Sequence, residues 1–355
     1  MVSATSNFTL GMLGAVVLAT ACRPEIEGRP SIIQEPRVLA IQSFPAEAAE
    51  DARVTYQALY VGPLDKPVDE TDLGWANCTL RKPLSTAGAI NPACLAKSGD
   101  GIEAIGNGVS AETAIATEAC RMFGPSQPPA ETGKPAVRAA DPDTTGGYYQ
   151  PVTVRFPSQG LSDFAAGVTR LACGIGAAPQ AEVIEYNKSY RPNANPEITA
   201  INALIKTQKT SLLNSIAPDA MIQIPPGKTL SLEAVWPEDC GACNDDGVCD
   251  ANENLDSCPT DCPDKVGCGS AEQYVTFDPA SRTLAKKSEQ IRMSWFATAG
   301  DFEHERTGSN SSHNDYTSEN TWTAPDSPGQ VSFWVVIRDD RRGVGWKPFQ
   351  LMVGN

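Results

Sequence analysis

The chain has 355 residues, with 28 Lys and Arg against 43 Asp and Glu and a formal net charge of -15. That length accommodates two domains with cores of their own, and an acidic surface of this size argues against nucleic acid as a partner. The 29 Gly and 28 Pro, with long stretches lacking a helical repeat, point to many turns and an all-β architecture.

The first element is an apolar run from Leu10 to Ala21, broken only by Gly11, Gly14 and Thr20. It is too short to cross a bilayer and suits the hydrophobic region of an export signal. It ends in Leu18-Ala19-Thr20-Ala21-Cys22, which resembles the site at which bacterial lipoprotein precursors are cleaved and lipidated. Ala19 stands where Leu is usual, and no Lys or Arg precedes Leu10. The resemblance implies that residues 1–21 are removed and that Cys22 becomes an acylated N-terminus tethered to a membrane leaflet. Arg23 after the cysteine, where Asp would signal inner-membrane retention, implies the outer membrane. An ordinary signal peptide, with Cys22 in a disulfide, is the alternative. Of 11 cysteines, removing Cys22 leaves ten, an even number that suits complete pairing in an oxidising compartment.

Residues 22–35 read as a lipidated end and a short proline-containing spacer. A first module is expected over 36–191. Within it, Arg53 to Val61 alternates, with Val54, Tyr56, Ala58 and Tyr60 facing one way and Thr55, Gln57 and Leu59 the other. The pattern recurs at Leu230, Leu232, Ala234 and Trp236, with Glu233 matching Gln57. Each copy has a similar opener upstream, Pro36-Arg-Val-Leu-Ala-Ile41 and Pro196-Glu-Ile-Thr-Ala-Ile201. These correspondences read as two diverged copies of one β-module, the second over 192–355.

Between these strands the first module carries Cys78, Cys94, Cys120 and Cys173, which allow three pairings. From Ser85 to Thr145 an irregular insertion is expected, with one helix over Ser110 to Met122 capped by Ser110. Ile198 to Ile216 suits a helix by periodicity, whereas the repeat requires strand at its start.

Cys240 to Cys268 holds six cysteines, Cys240, Cys243, Cys249, Cys258, Cys262 and Cys268, and almost no apolar residue. The segment 237–269 reads as an inserted acidic knot that cross-links or metal must hold. Disulfides are the expectation in this compartment, and zinc on Cys240, Cys243, Cys258 and Cys262 is the rival. Asp250, Asn252, Asn254, Asp256 and Asp261 stand at the spacing of positions 1, 3, 5, 7 and 12 of a calcium-binding helical-hand loop, with Glu253 alongside. Leu255 replaces the Gly that such a loop needs for its turn. The same stretch resembles the Notch-type calcium repeat, with Glu253 in place of one cysteine and a shorter last loop. Calcium is the cofactor expected there, and a solvated acidic loop held by disulfides alone is the alternative.

Further strands are read at Gln290 to Ala297, with Ile291, Met293 and Trp295 on one face, and at Gln330 to Arg338, where both faces are partly covered. His304 and His313, the only histidines, stand nine apart in a polar stretch with Glu303, Glu305 and Asp315, as in a sandwich loop or a weak metal site.

Trp295 on a middle strand, Trp322 before a Pro-Gly turn, and a strand ending in Arg338-Asp339-Asp340-Arg341-Arg342-Gly343 resemble the polycystic-kidney-type and cadherin-like immunoglobulin-fold modules of secreted bacterial proteins. With V-L-A-I-x-S-x-P-A-E from Val38, W-F-A-T-A-G-x-F from Trp295 and T-W-T-A-P from Thr321, the chain is similar, over most of residues 36–355, to exported lipoproteins of myxobacteria and related groups. That resemblance implies two-sheet sandwiches and no particular activity. The expectation is a non-catalytic binding or scaffold lipoprotein with a protein or surface-polymer partner. An envelope metalloenzyme, with its site in the His304–His313 loop or the first insertion, is the alternative. So is an accessory subunit of an outer-membrane complex, contacting its partner through an exposed Trp334.

Overall fold

The computed structural model describes residues 29–80, 90–96, 98–124, 145–158, 161–176, 178–206, 211–216, 222–237, 247–248, 261, 271–278, 280–308 and 316–354. Its first eight strands are β1 (Arg37–Phe44), β2 (Glu47–Ala48), β3 (Arg53–Val61), β4 (Gly74–Cys78), β5 (Ile102–Asn107), β6 (Ser110–Ala114), β7 (Tyr148–Ser158) and β8 (Leu161–Leu171). They form one sheet in the order β1-β3-β6 and another in the order β2-β8-β7-β4-β5. β3 alternates as its sequence does: Val54, Tyr56, Ala58 and Tyr60 are buried, while Thr55 and Gln57 are exposed. Those buried side chains meet Trp75, Val152 and Val154 of the facing sheet, which gives the first core.

A second set follows, comprising β9 (Ala200–Lys206), β10 (Ser211–Ser215), β11 (Ile222–Ile224), β12 (Thr229–Val235), β13 (Gln273–Asp278), β14 (Thr283–Ser288), β15 (Arg292–Ala297), β16 (Asp301–Phe302), β17 (Arg306–Gly308), β18 (Thr317–Thr323), β19 (Gly329–Arg338) and β20 (Val344–Val353). Here the sheets run β10-β9-β12-β18-β16 and β11-β20-β19-β15-β17, and β13 pairs with β14 as a separate hairpin. Leu230, Leu232 and Ala234 pack against Met293, Trp295, Phe333 and Val335 across the second core. Phe333 stands at its centre, edge-on to Trp322 at 4.9 Å and stacked on Phe349 at 4.6 Å.

The two sandwiches have one strand order. β1, β3 and β6 of the first match β9, β12 and β18 of the second, and β8-β7-β4-β5 matches β20-β19-β15-β17. In each, a short strand leaves the first sheet and pairs parallel with the last strand, β2 with β8 and β11 with β20. This is the arrangement of an immunoglobulin-like sandwich, here present twice. Each copy also buries one tryptophan on its middle strand, Trp75 on β4 and Trp295 on β15. Each indole N–H is satisfied beside the neighbouring edge strand, Trp75 by the Gly108 carbonyl at 2.7 Å and Trp295 by the Thr307 hydroxyl at 2.8 Å.

Three local expectations are corrected or resolved. Ser110 to Met122 is not one helix: Ser110–Ala114 is β6, and only Ala119–Phe123 is helical. The exposed edge of β3 takes β6 as its partner, with Val54 opposite Thr113 and Tyr56 opposite Ala111, and that pairing overrides local helix propensity. Ile198 to Ile216 resolves as strand, since β9 and β10 pair antiparallel from Lys206 opposite Ser211. Within the expected spacer, residues 29–33 are docked on the second sandwich. The Ile33 amide donates to the Ala297 carbonyl at 2.8 Å, the Ala297 amide donates to the Ser31 carbonyl at 2.9 Å, and Ile33 is fully buried.

Candidate binding cleft at the junction of the two sandwiches

The outer face of β19 explains why that strand is apolar on both sides. Val336 is fully buried and clusters with Ala40 of β1 and Val344 of β20, flanked by Leu39, Leu59, Phe296 and Trp346. The first sandwich thus covers a face of the second. Hydrogen bonds cross the same seam: Asn195 donates to the Ser43 carbonyl at 2.8 Å and accepts from the Val344 amide at 2.9 Å. Trp334, expected to be exposed, is half-buried, in register with Phe296 on one side and Pro348 on the other.

Behind this apolar patch lies a cluster of buried charges drawn from both sandwiches and the segment joining them. Arg170 of β8 and Glu47 of β2 form an ion pair at 3.1 Å, their side chains only 2% and 1% exposed. The Tyr190 hydroxyl and the Asn193 amide also donate to Glu47, at 2.5 and 2.9 Å. On the other side Arg341 has no exposed side-chain surface; it pairs with Glu289 at 2.5 Å and Glu272 at 2.7 Å, and its guanidinium stands 4.7 Å from the Tyr274 ring centre. Asp339 accepts from the Gly343 amide at 2.7 Å and from the Asn193 side chain at 3.4 Å, which ties the joining segment to the second sandwich. A β-carbon at Gly147 would collide with the Arg170 guanidinium, and one at Gly343 with the Asp339 carboxylate, so both turns require glycine.

Two arginines therefore face four carboxylates. Burial pushes the Glu272 carboxyl up to about 7, with the nearby Glu289 charge adding and Arg341 opposing. Burial likewise raises Glu289, helped by Asp339, and raises Asp339 against the pull of Arg341. Buried pairs of this kind contribute little net stability compared with apolar packing, but leaving one partner unpaired costs about 3–5 kcal/mol. Each ion pair lies within one sandwich, and the joining segment links the two halves of the cluster, through Asn193 to Glu47 and Asp339 and through the Arg191 carbonyl to Arg341.

Beside this seam opens a cleft of about 560 Å³, walled by β1 and β8 of the first sandwich, by β15, β17 and β19 of the second, and by the docked Pro30 and Ser31. Val38, Ile41, Ala165 and Phe296 give it apolar sides, and Arg292, Arg306, Arg338 and Arg342 give it charge. Arg338 donates to the Leu39 carbonyl at 2.7 Å and weakly to the Ser294 hydroxyl at 3.5 Å, spanning the junction. Burial, with Arg306 close by, pushes its pKa down to about 10. Arg342 adopts a left-handed backbone, φ 83°, uncommon for a residue with a side chain, and lies over the Tyr149 ring of the first sandwich at 5.9 Å.

The residues singled out from sequence fall elsewhere. Cys22, His313 and the knot residues Cys240, Cys243, Cys249, Asp250, Asn252, Glu253, Asn254, Asp256, Cys258, Cys262 and Cys268 lie outside the described residues. Asp261 is described: it is buried and accepts from the Gly247 amide at 3.1 Å. The first-module cysteines resolve to one of their three pairings, Cys78–Cys94 and Cys120–Cys173, with Cα separations of 5.6 and 5.3 Å. His304 is exposed, 3.9 Å from Glu303, its backbone held to the Asn320 side chain. Among the described residues no three His, Cys, Asp or Glu side chains gather at metal-binding range, and no helix is long and apolar enough to cross a membrane. The junction charges went unread because their partners lie far apart in sequence, 123 residues for Glu47 and Arg170. The one local signal was the charged run from Arg338 to Arg342 closing a strand.

No family model and no curated protein matches the chain. Among solved structures it is similar to the D00-D0 domain of intimin, at 9% identity over 89% of this chain and 100% of that one, TM-score 0.22. The adhesin InvE of Yersinia pseudotuberculosis is similar at 9% identity over 89% of this chain and 62% of its own, TM-score 0.21. Latent PorU of Porphyromonas gingivalis gives 13% identity over 91% of this chain and 24% of its own, TM-score 0.20. Superpositions this loose say nothing about activity, and the fold assignment stands on strand order and register.

Proposed function

We propose that this chain is an extracytoplasmic binding or scaffold protein, anchored to the outer membrane through an acylated Cys22, whose work is holding and not turnover. The observation that carries the reading is the junction: a seam of apolar contacts and hydrogen bonds that joins two sandwiches, is backed by buried ion pairs within each, and leaves a walled cleft beside it. Such rigid, side-by-side modules suit recognition, since a preset geometry lowers the ordering cost of binding. Two disulfides in the first sandwich support an oxidising compartment. The docked residues 29–33 bear on the anchor. Seven residue steps from Cys22 to Arg29 span at most about 25 Å, so an acylated Cys22 would hold the β15–β16 end of the second sandwich near the bilayer.

The acidic knot is proposed to bind calcium, on the spacing of Asp250, Asn252, Asn254, Asp256 and Asp261 and on the absence of basic residues among them. Its partner is proposed to be a protein or surface polymer of the envelope. The testing experiment is fractionation of Cys22→Ser. The variant should accumulate as unprocessed or soluble chain, and undiminished membrane partitioning would overturn the anchor.

A further inference from the structure

We propose that the cleft between the sandwiches is an oxyanion site for a sugar-sized acidic ligand, whose carboxylate or phosphate is gripped by Arg338, Arg306 and Arg292. The proposal deepens the reading of the chain as an extracytoplasmic binding protein and rests on it.

Charge is the first reason. The chain carries -15 overall, yet this cleft gathers four arginines against two carboxylates, Glu305 and Asp339, and Asp339 is already engaged by Gly343 and Asn193. Among the described residues no carboxylate stands within ion-pair distance of Arg292, Arg306, Arg338 or Arg342, whereas Arg170 and Arg341, a short way off, are both paired. A half-buried guanidinium without a counter-ion, next to a second one, is an arrangement that an incoming anion relieves. Arg292 stands directly opposite Arg338 in the β15–β19 register and diagonally across from Arg306, which faces Ser294 on the β15–β17 side, so the three guanidinium groups can converge on one guest. Arginine suits the task because its planar fork meets carboxylate and phosphate oxygens two at a time.

Shape is the second reason. A volume of about 560 Å³ falls within the range of ~300–1,000 Å³ typical of small-ligand sites. Val38, Ile41, Ala165 and Phe296 offer apolar faces for a sugar ring while the arginines take its acid group.

Calorimetric titration of the mature chain with trigalacturonate, glucose 1-phosphate and neutral maltotriose tests the proposal. At least one acid should bind, more weakly as salt is raised, and maltotriose should not; which acid binds identifies the oxyanion source. Arg306→Gln and Arg292→Gln, both at exposed positions that should leave folding intact, should each weaken binding by about tenfold. Arg338→Gln should weaken it further. Failure of both acids to bind, or binding indifferent to these arginines, overturns the site. Membrane fractionation of the same wild-type protein reads the anchor independently, so either idea can fail while the other stands.

Discussion

The two sandwiches share a strand order and differ in what holds them. The first has a modest core around Tyr56, Trp75 and Val154 and is stapled by Cys78–Cys94 and Cys120–Cys173. The second is filled with large rings, Trp236, Trp295, Trp322, Phe333 and Phe349, and has no disulfide among its described residues. Among the described residues, the one topology thus gains from burial of aromatic area in one copy and from restriction of the unfolded chain in the other. What the copies keep in common is the alternation of β3 and β12 and the middle-strand tryptophan, the features that define which face is inside.

The largest effects should come from that shared tryptophan. Trp295→Ala and Trp75→Ala should each cost about 3–5 kcal/mol in denaturant unfolding, with both indole hydrogen bonds lost along with the packing. Equal losses would show that the two cores carry comparable weight, and a negligible loss at Trp75 would assign the first copy to its disulfides alone. Next come the staples. Cys120→Ala with Cys173→Ala opens a loop of 53 residues and should cost about 4 kcal/mol, and Cys78→Ala with Cys94→Ala, spanning 16, about 3 kcal/mol. Reductant should lower the first sandwich's transition in a thermal scan, as the two double substitutions do.

The junction adds a pH dependence to the comparison. Glu272, Glu289 and Asp339 sit above their ordinary carboxylate range when folded, Glu272 at about 7. The folded chain therefore holds protons that the unfolded chain has released, and the stability this confers is full below about pH 4.5 and fades as pH rises through about 7. Glu272→Gln should flatten that decline by about 1–2 kcal/mol across the window, measured by urea unfolding at a series of pH values. An unchanged slope would mean Glu272 stays ionised throughout. The smallest effect expected is on the acidic knot: calcium should raise the thermal midpoint of the full chain by a few degrees, and Asp250→Ala with Asp261→Ala should erase the gain. A chain indifferent to calcium would leave the knot as a disulfide-bonded loop.

Strand alternation was legible wherever a face met its own sheet partner. Arg53–Val61 is β3 to the residue, and the match between Val54–Tyr60 and Leu230–Trp236 marks equivalent strands of two like sandwiches. Ser110 to Met122 misled because Ala111, Ile115 and Ala119 satisfy both a helical and a strand spacing, and only the open edge of β3 decides between them. The docked Ile33 answers to a tertiary partner distant in the chain, Ala297, and leaves no period to read. The junction charges were invisible for the same reason. Glu272 meets Arg341 across 69 residues, and neither looks different from a surface charge until the fold buries it.

The apolar seam and the Asn195 bridge clamp the two sandwiches together, and the cleft is the consequence. Small-angle X-ray scattering of the mature chain at pH 6 measures this directly. The prediction is a profile reproduced by a single arrangement of the sandwiches about the Ala40–Val336 contact and the Asn195 bridge. A profile that demands a broad spread of angles between them would contradict it.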